Sequence, residues 1–184
     1  MEGILESKTH KPLSITDLRM GSMYLAYNIK VYIETLMFIT ENMYAFICYD
    51  TKLNSILETH LLHARNLINF LKYDRKDRST DITAYDYFWN GQFIELPTQN
   101  AYLKEQADII SNHLLHITSK PVPNLISQFE WPIRLVSDPL IEGLENFFMV
   151  VDDSKLDPTV KPTCLKFLAL GKSLDVPENI SAST

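Results

Sequence analysis

The sequence predicts an all-α, up-and-down helical bundle of about four main helices with a long ordered loop and short accessory helices. Three observations carry that expectation. Apolar residues recur at three- and four-residue steps over long stretches, no convincing alternating strand pattern interrupts them, and glycine is scarce at 5 of 184 residues. At ~150 residues per domain the length favours one compact unit, taken as residues 1–172 followed by a polar tail over 173–184. Hydrophobic residues at 46% and charged residues at 22% are an ordinary globular balance that fills a core and disfavours a disordered chain.

The first helix is expected from Thr16 to about Ile39, with Leu18, Leu25, Ile29, Tyr32, Leu36 and Ile39 inward. A second starts near Asp50 or Thr51, either of which can cap it, and ends by Lys72 or Tyr73. Its broad apolar stripe is Leu53, Ile56, Leu57, Leu61, Ala64, Leu67, Ile68 and Leu71. Residues 73–97 mix charge, aromatics and turn formers without a sustained period, so an ordered connection lying across the bundle is expected there. Thr98 can cap a third helix reaching about Thr118, with Leu103, Ala107, Ile110, Leu114 and Ile117 inward, before Lys120-Pro121-Val122-Pro123 stops it.

After an irregular stretch with Trp131-Pro132, Asp138 at the cap and Pro139 at the first helical position open a fourth helix that buries Leu140, Leu144, Phe147 and Val151. Pro162 and Gly171 similarly bracket a short fifth helix holding Leu165 and Leu168. The tail from Ser173 is polar and expected to fray.

Seventeen Lys and Arg against 23 Asp and Glu give a net charge of -6, which disfavours RNA or duplex DNA as a partner unless a local basic patch overcomes it. The two cysteines, Cys48 and Cys164, are too few for a disulfide-stapled secreted fold and lack zinc-ribbon spacing. The amino-terminal MEGILESKTHKPLS has no long apolar segment behind a basic start, and no run anywhere reaches ~18 apolar residues, so neither leader nor membrane span is expected. A cytoplasmic location follows as the expectation. Glycine-rich phosphate loops, Gly-x-Ser-x-Gly and His-Glu-x-x-His are all missing from the sequence.

Four of the five histidines form two His-x-x-His pairs, His60 with His63 and His113 with His116. Each pair shares a helix face. Neutral imidazoles from both pairs, with Glu58 or Asp108 nearby, have the donor types for zinc or another borderline metal, and an open coordination position there would activate water. The Glu-x-x-His signature usual in bundle metal sites is missing, so the spacing favours histidines that hydrogen-bond at helix contacts over a metal site at His60, His63, His113 and His116. No cofactor is expected. The run Lys72, Asp74, Arg75, Lys76, Asp77, Arg78 reads as a solvated helix end, and the adjoining Tyr85, Tyr87, Phe88 and Trp89 as a loop sealed against the core.

The segment from Leu62 to Leu71, with His63, Arg65, Leu67, Asn69 and Phe70, resembles a bacterial family of helical proteins whose second helix reads approximately His-x-Arg-x-Leu-x-Asp-Phe. The likeness continues through Asp81 to Phe88 and Ile110 to Thr118, covering roughly residues 53–118. Asn69 stands where that family usually has Asp, removing a carboxylate. The resemblance implies a helical fold and marks His63, Arg65 and His116. A broader likeness is to HEPN-like bundles, many of which cleave RNA with an Arg placed four to six residues before a His. That spacing is missing here, and Ile109 holds the same-face position seven residues before His116.

Two functions are therefore expected in order. The first is a cytosolic, non-enzymatic interaction module with a protein partner or self-association. The second is a HEPN-like ribonuclease or metal-assisted hydrolase centred between the second and third helices, with Arg65 holding an anion and His63 or His116 moving a proton.

Overall fold

The computed structural model describes residues 12–42, 51–71, 82–88, 101–114, 130–131, 133–176 and 180–181. Ser14 starts the first helix, α1 (Ile15–Glu41), through a capping box. Its Oγ accepts from the Asp17 amide at 3.1 Å, while the Asp17 carboxylate accepts from the Ser14 amide at 3.3 Å. All six predicted inward residues of α1 are buried, and Ile33 joins them. Next comes α2 (Thr51–Leu71), which buries Leu61, Ala64, Leu67, Ile68 and Leu71.

Within the predicted connection, a short α3 (Ala84–Tyr87) drives Tyr87 into the core, where its hydroxyl donates to the Leu18 carbonyl at 2.7 Å. Gly21 permits that approach. A Cβ there would meet Ile82 Cδ1 at 2.8 Å and the Tyr87 hydroxyl at 3.1 Å. Phe88 packs on the core beside Tyr87, so these two aromatics seal the described part of the connection against the bundle. Trp89 and the charged run over 72–78 lie outside the described residues.

The third long helix, α4 (Ala101–Leu114), buries Leu103, Ala107 and Ile110. Thr98, residues 115–118 and the Pro121–Pro123 stop lie outside the described residues.

The next helix, α5 (Ile133–Val150), corrects the expected start at Asp138-Pro139, because Pro139 lies inside it. Ile133 and Val136 are buried ahead of the proline and extend the helix by tertiary packing. Proline lacks an amide for the Leu135 carbonyl, and Leu135 lies on the exposed face of the helix. Leu140, Leu144, Phe147 and Val151 are buried as predicted. Phe147 is the hub of an aromatic cluster, edge-on to Phe70 at 5.0 Å, Tyr87 at 5.3 Å and Phe148 at 5.1 Å between ring centroids.

A 3-10 turn at Asp153–Lys155 is pinned back to α1 by two hydrogen bonds. Arg19 Nε donates to the Ser154 carbonyl at 3.2 Å, and the Asp157 amide donates to Ser22 Oγ at 3.0 Å. The last helix, α6 (Val160–Lys172), overturns the bracketing role expected of its proline and glycine, since both Pro162 and Gly171 lie within it. Gly171 answers a close approach: a Cβ there would meet Ile33 Cδ1 at 2.6 Å and Ile141 Cδ1 at 3.0 Å.

The described part of the tail, expected to fray, packs on the fold. Val176 is buried, and β1 (Glu130–Trp131) pairs antiparallel with β2 (Ile180–Ser181), placing Trp131 opposite Ile180. The resulting architecture is an all-α bundle in which α1 packs between α2 and α6, α2 also meets α4 and α5, and α5 closes against α6. No helix among the described residues is long and apolar enough to cross a membrane.

Candidate functional site

Of the candidate residues, His60 and His63 meet α1 at its contact with α2. His60 is buried at 2% exposure and stacks on Tyr32, with ring centroids 4.5 Å apart and planes 17° from parallel. Thr35 Oγ1 gives its proton to backbone, within 2.8 Å of the Val31 carbonyl. It is therefore an acceptor for His60 Nδ1 at 3.1 Å, which fixes the neutral Nδ1–H tautomer. Burial lowers the His60 pKa to about 3, and the neighbouring His63 pushes it the same way. An imidazole so placed stays neutral at physiological pH and shuttles no proton. The same ring lines a void of about 10 Å³ among Ala64, Gln106, Ile110 and Val136, no larger than one water.

His63 faces α1 one turn earlier. Its Nδ1 lies 2.8 Å from Asn28 Oδ1, which also accepts from Asn66 Nδ2 at 3.2 Å, while Asn28 Nδ2 donates to the Tyr24 carbonyl at 2.8 Å. With the amide orientation set by that carbonyl, Oδ1 is the acceptor and His63 Nδ1 carries the proton. Tyr27 packs edge-on against the ring at 5.6 Å. Desolvation lowers the His63 pKa, so it too is neutral at pH 7.

Arg65 follows His63 by two residues and so projects about 200° around α2. It is half-buried, and its Nε has no hydrogen-bond partner among the described residues. His113 lies on α4 with its side chain outside the described set, and His116 lies outside the described residues altogether. The structure thus brings His60 and His63 together on one interface and directs Arg65 elsewhere. Among the described residues, no three His, Cys, Asp or Glu side chains converge to hold a metal. Cys164 is wholly buried, and desolvation pushes its thiol up to about 12, so it is inert as a nucleophile.

Beneath these groups, the buried Tyr32 hydroxyl donates to Ser137 Oγ at 2.9 Å, and burial raises its pKa. Sequence reasoning missed Asn28, Tyr32, Thr35 and Ser137 as partners. Their one legible signal is the seven-residue spacing of Asn28 and Thr35, which sets two polar groups on the flank of α1 that meets the histidines.

A second omission is larger. On the face of α1 opposite its buried stripe, Met20, Tyr24 and Tyr27 are 55%, 71% and 58% exposed. Val31, half-buried, and Phe38, 36% exposed, continue the same line. Steps of four, three and four residues, with Glu34 filling the next position before Phe38, make this a heptad seam. It runs about 27 Å along the helix at 1.5 Å per residue. Spacing alone would have revealed it as a second stripe.

No protein-family model, curated protein or solved structure matches this chain.

Proposed function

We propose that the chain is a non-enzymatic, cytoplasmic interaction module that docks a helix of a protein partner along the outer face of α1. The carrying observation is the exposed seam of Met20, Tyr24, Tyr27, Val31 and Phe38. A helix that is apolar on both sides is ordinarily buried on both, and among the described residues the other elements pack on one side of α1 only. Heptad spacing suits a helical occupant, whose side chains interlock with the seam as knobs into holes. Tyrosine and methionine suit the task, because one couples a large ring to a solvated hydroxyl and the other adapts its shape to the partner. The histidines support the same reading: His60 and His63 are held neutral and spend their Nδ1 protons on helix contacts.

A photo-crosslinking residue at position 24, compared with one at the exposed position 142 of α5, tests the reading in cells. Protein adducts are expected from position 24 well above those from position 142. Equal yields at both positions overturn it. So does RNA turnover by the purified chain that is lost in His63→Ala or His116→Ala with helicity unchanged by circular dichroism.

A further inference from the structure

We draw no further inference here: the strongest candidate, the exposed face of α1 along Met20, Tyr24, Tyr27 and Phe38, belongs to the surface already described, and nothing in the structure shows what covers it.

Discussion

The two faces of α1 are both apolar, yet they are built from different residues and do different work. The inner face is Leu18, Leu25, Ile29, Tyr32, Ile33, Leu36 and Ile39, buried and mostly aliphatic, with three stiff β-branched isoleucines. The outer face is Met20, Tyr24, Tyr27 and Phe38, exposed and either flexible or ring-bearing. Rigid aliphatics suit a contact that forms once, in folding, and must be unique. Methionine and tyrosine suit one that tolerates water until a partner arrives. Along α1, aliphatics predominate on the buried face, and methionine and aromatic rings on the exposed one.

The strongest way to sharpen that contrast is to remove the inner packing. Phe147→Ala empties the aromatic hub between Phe70, Tyr87 and Phe148, and a loss of about 3–5 kcal/mol is expected in denaturant unfolding. A loss below 1 kcal/mol would mean that the hub carries little of the fold.

The polar edge of the inner face is probed by acid. The unfolded chain binds a proton at His60 below about pH 6.5, whereas the folded chain holds it neutral down to about pH 3. Stability from this group is therefore complete above pH 6.5 and falls as pH drops toward 3, by about 2 kcal/mol between pH 6.5 and 5. His60→Phe keeps a ring against Tyr32 and should flatten that slope in urea titrations at the two pH values. An unchanged slope would assign the acid sensitivity elsewhere.

Gly171→Ala sets a methyl against Ile33 and Ile141 and should cost about 1–2 kcal/mol, read as a lowered melting temperature. On the outer face the expectation reverses. Met20→Ala should change stability by no more than about 0.5 kcal/mol. A substantially larger loss would show that the seam already has a structural role within one chain and break the contrast between the faces.

The inner stripe of α1 was legible because its three- and four-residue steps are a local property of the chain. So were the burial of Phe147 and the sealing role of Tyr87. The beginning of α5 was not, because Asp138-Pro139 has the form of a helix start, while the burial of Ile133 and Val136 that overrides it depends on distant helices. Gly171 was read as a terminator for a similar reason: the Ile33 and Ile141 methyl groups that require a glycine come from two other elements. The pairing of residues 130–131 with 180–181 spans almost fifty positions, and two-residue segments carry no periodicity that would announce it.

At the candidate site, the place of His60 in the middle of an apolar stripe already implied burial. Its partners Tyr32 and Thr35 lie on another helix and became visible only in three dimensions. The outer seam is different, because its steps of four, three and four residues from Met20 to Val31 are a local property of the sequence.

A helix greasy on both sides poses an orientation problem, because rolled half a turn about its axis it would still offer apolar surface to the bundle. The polar contacts beneath α1 resolve it. Tyr32 to Ser137, Thr35 to His60, Asn28 to His63 and Ser22 to the Asp157 amide lie at four heights along the helix, and a rolled α1 would forfeit them together. Each is modest in net stability, but an abandoned buried partner costs about 1–3 kcal/mol, so the rolled state carries a cumulative penalty. These few oxygens and nitrogens act as the keying that decides which side of an ambiguous rod is offered to the outside world.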